Sequence, residues 1–94
     1  MKQLFSTGAR LTGGTHLQGE IRTTYDKLVK VFGNPDYQGS DGDRVTCEWD
    51  IQFEDGTIAT IYDWKEYETP LHLYNWHIGG KSSDAVDRVR EQLS

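Results

Sequence analysis

The chain has one cysteine, two prolines and one methionine in 94 residues, no long apolar run and no excess of basic charge. With Cys47 alone, no intrachain disulfide can form. The thiol stands in an alternating apolar run, where a core position is expected, and this fits a reducing compartment. No stretch approaches the roughly 20 apolar residues of a membrane span, and the N-terminus carries no apolar stretch of a signal peptide. A cytoplasmic protein without a membrane partner is therefore expected. Lys and Arg number 10 against 15 Asp and Glu, a net charge of −5 spread without a long block. Direct nucleic-acid binding needs a basic stripe and is excluded on that ground, while an acidic balance permits a basic protein partner.

Aromatic residues are abundant. Three Trp, five Tyr and three Phe fill a compact core with few side chains, so the chain reads as one small folded domain, residues 15–94, behind a flexible arm at 1–14. In that arm Leu4 and Phe5 leave a short edge strand open as an alternative. So small a core gains from self-association, and a homodimer is expected. Thr15 to Ile21 reads as a strand. Tyr25, Leu28, Val29 and Phe32 form one stripe of a helix, with Thr23 as its cap, Asp26 three residues on, and Gly33-Asn34-Pro35 as its stop. Asp36 to Asp43 is a loop; its Asp41-Gly42-Asp43 lacks the remainder of a calcium loop, so neither metal nor cofactor is expected.

Val45 to Glu54 alternates strictly, and Asp55-Gly56 reads as a two-residue hairpin turn into Thr57 to Trp64. That register places Cys47, Trp49, Ile51 and Phe53 on one face with Ile58, Thr60, Tyr62 and Trp64, and Glu48, Asp50, Gln52, Ala59, Ile61 and Asp63 on the other. After a charged loop at 65–70, Leu71 to Ile78 forms a third strand, with Tyr74, Trp76 and Ile78 on one face and Leu73, Asn75 and His77 on the other. Ser82 or Ser83 caps a last helix with a stripe of Val86, Val89 and Leu93. The order β-α-β-β-β-α predicts an α+β two-layer sandwich: a mostly antiparallel sheet with two helices on one face.

The stretch Tyr74-Asn75-Trp76-His77-Ile78-Gly79-Gly80-Lys81-Ser82 concentrates the candidate chemistry. An aromatic strand runs through two glycines into a helix start, where unpaired N–H groups, the dipole and Lys81 favour an anion. No glycine stands at the required place upstream of the Gly80-Lys81 pair, so a nucleotide-hydrolysing phosphate loop is rejected. A plain glycine turn with a serine cap is the competing reading. His77 shares a face with Asn75, Asp50 and, in this register, Asp63; the pair is a proton-transfer candidate or a polar surface pair. Cys47 and His77 fall on opposite faces, against a nucleophile–base pair. No catalytic constellation is visible, and a non-enzyme is expected.

Thr23 to Gly33, Glu48-Trp49 with Phe53-Glu54-Asp55-Gly56-Thr57, Ala59-Thr60-Ile61-Tyr62-Asp63-Trp64-Lys65, and Trp76-His77-Ile78-Gly79-Gly80 together resemble a family of small uncharacterised bacteriophage proteins over roughly residues 15–93. The resemblance implies a viral accessory role in an infected cell and no assigned activity. By class analogy with inhibitors of host defence, the expected function is sequestration of a small nucleotide signal. Gly79, Gly80, Lys81 and Ser82 would hold phosphate, Trp64, Tyr62 or Trp76 would stack on the base, and His77 or Asn75 would hydrogen-bond it. The alternative is an acidic inhibitor that binds a host defence protein or nucleic-acid enzyme.

Overall fold

The computed structural model describes residues 5–7, 15–38, 45–64 and 69–94. The elements run β1 Phe5–Thr7, β2 His16–Thr23, α1 Tyr25–Phe32, β3 Tyr37–Gln38, β4 Cys47–Phe53, β5 Ile58–Tyr62, β6 Tyr74–Gly80 and α2 Asp84–Leu93. The sheet is antiparallel in the order β1-β4-β5-β6-β2, and β3 also pairs with β4. Two helices supply Leu28, Phe32, Ala85 and Val89 to one core with Trp49, Ile51, Phe53, Trp76 and Ile78. This is the expected α+β sandwich. Of the arm at 1–14, Phe5–Thr7 takes the edge-strand alternative and pairs with β4, Phe5 opposite Phe53. The rest of that arm, the Asp41-Gly42-Asp43 turn and the charged loop at 65–68 lie outside the described residues. Among the described residues no helix is long and apolar enough to cross a membrane.

Helix α1 starts one residue later than the capping pattern suggests. Thr24, in an extended conformation, is the N-cap, and its hydroxyl accepts from Lys27 N–H at 3.2 Å. Gly33 ends the helix with φ of +86°, a conformation that costs an L side chain energy, and its N–H donates to the Val29 carbonyl. The two core tryptophans fasten both ends of this helix to the sheet. Trp49 Nε1 donates to the Gly33 carbonyl at 2.8 Å and Trp76 Nε1 to the Thr23 carbonyl at 3.2 Å. Their rings meet edge to face at 5.6 Å, so neither buried N–H is left unpaired.

The hairpin corrects the expected register by one residue. Phe53 N–H donates to the Thr57 carbonyl and Gly56 N–H to the Phe53 carbonyl, so the loop is three residues, Glu54-Asp55-Gly56, with Gly56 at φ of +91°. Trp49 therefore pairs with Ile61 and Ile51 with Ala59, while Glu48 pairs with Tyr62 and Asp50 with Thr60. Every side chain of β5 sits on the face opposite to the one expected. Ala59 and Ile61 enter the core, fully buried. Tyr62 and Thr60, placed in the core by the sequence reading, lie instead on the face away from the helices, and Asp63 is buried.

Strand β6 begins at Tyr74, and Leu71 and Leu73 before it are exposed. Gly79 and Gly80 belong to that strand, not to a turn after it. In α2 the buried stripe is Ala85, Val89 and Gln92, with Val86 and Leu93 at its margins.

Candidate functional site

The uncovered face of the sheet is organised in rows by strand register. Tyr37, Glu48, Tyr62, His77 and Glu20 are successive partners across β3, β4, β5, β6 and β2. The neighbouring row is Asp50, Thr60, Gly79 and Leu17. Between them a groove of about 270 Å³ is lined by residues that include Glu48, Thr60, Tyr62, Trp64, Gly79 and His16. Gly79 shapes it: a Cβ there would stand 2.5 Å from Thr60 Oγ1 and 3.5 Å from Tyr62 Cε1. The glycine thus lets Thr60 and Tyr62 lean over the backbone of β6. Trp64 is 40% exposed at the groove.

Tyr62 stacks on His77, ring centroids 5.6 Å apart and planes 19° from parallel, and His77 Nδ1 lies 3.5 Å from Glu20 Oε2. The partner of His77 is thus Glu20, not Asp50 or Asp63. Asp63, fully buried, is structural: Oδ1 accepts from Thr46 N–H at 2.8 Å and Cys47 N–H at 3.3 Å, and Oδ2 accepts from the Thr46 hydroxyl. Burial, then the Asp63 charge, pushes the Cys47 thiol up to about 11, which leaves it an inert core thiol on the face opposite His77.

Glu48 is the most perturbed group in the groove. Burial first, then a hydrogen bond to Asp50 and the charges of Asp50 and Asp36, raises it from 4.5 to about 8. Asp50 Oδ1 is buried and has no hydrogen-bond partner among the described residues. Tyr62 is also raised, by burial and then by the Glu48 charge. The linkage has a definite sign. Between about 4.5 and 8 the folded chain keeps a proton that the unfolded chain has lost, so Glu48 lowers stability as pH rises through that window. Glu48→Gln, a neutral replacement of the same shape, is expected to match the wild type in urea denaturation at pH 4 and to exceed it at pH 9.

The predicted ligand residues divide into two groups. Tyr62, Trp64, His77, Asn75 and Gly79 share the uncovered face or the groove. Trp76 does not: it is fully buried between Trp49 and Tyr74 and cannot stack on a ligand. Gly80 is buried under Ala85. Lys81 and Ser82 are exposed and do not line the groove. The helix start is no open anion cradle, because the amides of Asp84, Ala85 and Val86 already donate to Ser82 Oγ, the Ser82 carbonyl and the Ser83 carbonyl. Asp84 and Asp87 also set negative charge in the first turn. The sequence reading missed Thr60, Leu17 and His16 as groove residues and saw Glu48 only as part of an acidic surface. Their placement depends on whether Gly56 closes a two-residue turn or a three-residue loop, and the residues fit both. Among the described residues no group of three or more His, Cys, Asp or Glu is arranged to hold a metal ion. No protein family, curated protein or solved structure matches the chain.

Proposed function

We propose that the chain is a non-catalytic binding protein that takes the flat ring of a small nucleotide into the groove against Trp64 and Tyr62. In this reading it is a bacteriophage accessory protein that sequesters a nucleotide signal of host defence in the cytoplasm of the infected cell, as a homodimer. The observation that carries the binding reading is the groove itself: an exposed tryptophan and a tyrosine beside hydrogen-bonding Glu48 and Thr60 on a face that neither helix covers. Stacking supplies affinity without sequence-specific contacts, and the polar groups orient the ring. The viral and anti-defence part of the reading rests on the sequence resemblance.

Isothermal calorimetry with a panel of linear and cyclic nucleotides tests it. A complete absence of heat with folded protein would end the proposal. With a ligand in hand, Trp64→Ala is expected to weaken binding by about 1–3 kcal/mol, the worth of one base–aromatic stack, while near-ultraviolet circular dichroism stays native.

A second reading is an inhibitor that docks a host defence protein on the acidic uncovered face. It is favoured by exposed Leu17, Tyr37, Leu71 and Leu73, with Glu20, Glu48 and Asp50 on the same sheet face as Leu17 and Tyr37. A stoichiometric host partner whose binding survives Trp64→Ala but is lost on Glu20→Lys would select it over the first.

A further inference from the structure

We propose that the outer edge of β2 pairs antiparallel with the same edge of a second copy, about a two-fold axis at Ile21, so that Glu20 of each chain stands opposite Arg22 of the other. The inference rests on the homodimer proposed above and gives it an interface; the nucleotide does not enter. Among the described residues β2 is the end strand of the sheet, paired with β6 on one side only. At the other end β4 carries both β1 and β3. An end strand presents a row of backbone N–H and C=O groups to any strand that matches it. With 8 residues, β2 is also the longest strand described.

Face and charge select the register. The strand is regular from Gly19 to Thr23, beyond the irregularity between Leu17 and Gly19. Over that stretch Glu20 and Arg22, partners of His77 and Asn75, lie on the uncovered face; Gly19, Ile21 and Thr23, partners of Ile78, Trp76 and Tyr74, lie on the helix side. Side chains directly opposite in an antiparallel pair share a face, so a two-fold pairing sets one residue of this stretch opposite itself. With Glu20 or Arg22 on the axis, like charges meet. Gly19 on the axis sets the regular stretch against the irregular one, and Thr23 sets it against the start of α1. Ile21 on the axis pairs Glu20 with Arg22 twice. Both charges are exposed. Glu20 Oε2 lies 3.5 Å from His77 Nδ1, and no ion pair holds Arg22 among the described residues. Charge of one sign guards an edge against its own copies; this edge is complementary to itself. Ile21, packed against the core, then meets its counterpart across the axis and continues the apolar layer. The axis runs perpendicular to the sheet, so both grooves, each lined by Leu17 of β2, open on one surface.

Sedimentation velocity of the full chain tests it, with Glu20→Arg and Arg22→Glu. Both positions are exposed, and circular dichroism is expected to stay native. Each variant turns both reciprocal pairs into like-charge pairs and is expected to dimerise at least about tenfold more weakly. Mixed in equal amounts, the two variants are expected to recover the wild-type dimer constant, because both pairs of the mixed dimer again join opposite charges. No contact within one chain gives that recovery. Amide hydrogen exchange of the unaltered chain needs no variant: alternate amides from 19 to 23 are expected to slow as concentration rises. A dimer that neither variant weakens, or a mixture that stays dissociated, would overturn the β2 interface and leave the homodimer and the groove standing. A wild-type chain monomeric at every concentration would overturn the interface and the homodimer together, while the nucleotide reading stands or falls on its own calorimetry. Amides of β2 that slow only when a host protein is added would give the edge to a foreign strand and overturn the proposal as well.

Discussion

Asp63→Ala is expected to lower the stability of this domain by about 3 kcal/mol, the sum of partial losses at several buried donors, and to lower Tm by roughly 15 °C for a chain of this size. The reason lies at the junction of β4 and β5. Asp63 is fully buried immediately after β5, and both its oxygens turn to the start of β4. There they take the Thr46 and Cys47 amides and the Thr46 hydroxyl, which in turn meets Thr69 Oγ1 at 2.8 Å. One side chain therefore joins three segments: the entry to β4, the exit from β5 and the approach to β6. Alanine leaves two amides and a hydroxyl without the carboxylate that accepts from them in a buried site. Asp63→Asn separates hydrogen bonding from charge. Its oxygen still accepts from the two amides, and its NH₂ can donate to Thr46 Oγ1 while the hydroxyl turns to Thr69. Asparagine is therefore expected to cost about 1 kcal/mol, the net worth of one hydrogen bond. Thermal and urea denaturation of the two variants measures the difference. Equal, small losses in both would mean that the junction is held by packing and not by the carboxylate.

The same segment shows what could be read from the residues and what could not. Helix α1 was legible because stripe and stop agree, with the cap one residue later than expected: Leu28 and Phe32 are buried, and Gly33 takes the positive φ that ends the helix. Strand β4 was legible because its apolar residues keep one parity from Cys47 to Phe53. Its partner was not, because Ile58, Ala59, Ile61 and Tyr62 put apolar groups on both parities, so the pattern of β5 sets no register of its own. The turn had to decide it, and Asp55-Gly56 fits a two-residue turn as well as it fits the end of a three-residue loop. One residue of slip inverts a whole strand. That slip hid the groove, since it sent Tyr62 and Trp64 to the core and Ile61 to the surface. The arm at the N-terminus was ambiguous for another reason: a strand as short as Phe5–Thr7 has too few residues for periodicity, and its pairing with β4 is a tertiary event.

Gly80→Ala is expected to destabilise the fold by about 1–3 kcal/mol, the usual range for an added methyl in a close-packed site, whereas Gly79→Ala is expected to act mainly on the ligand. The two glycines are neighbours on one strand and face opposite sides. A Cβ on Gly80 would stand 2.5 Å from Ala85 Cβ, 3.1 Å from the Ile58 carbonyl and 3.3 Å from the Ser82 carbonyl. Two of those atoms are backbone and the third has no rotamer to change, so relief requires α2 to lift from the sheet. Since α2 contributes fully buried Val89 to the core, that movement opens the packing around it. Ala85→Gly in the same chain removes the methyl that collides, but glycine inside a helix costs about 1 kcal/mol, so the double variant is expected to recover part of the loss. On the other face, a Cβ on Gly79 meets first Thr60 Oγ1, the end of a short side chain that can rotate. Stability is then expected to change less, while the methyl and the displaced Thr60 fill the groove. Denaturation of both variants, paired with nucleotide titration, reads the contrast directly. A Gly79→Ala protein that binds as well as the wild type would place the ligand elsewhere on the sheet, because Gly79, Thr60 and Tyr62 line the same groove.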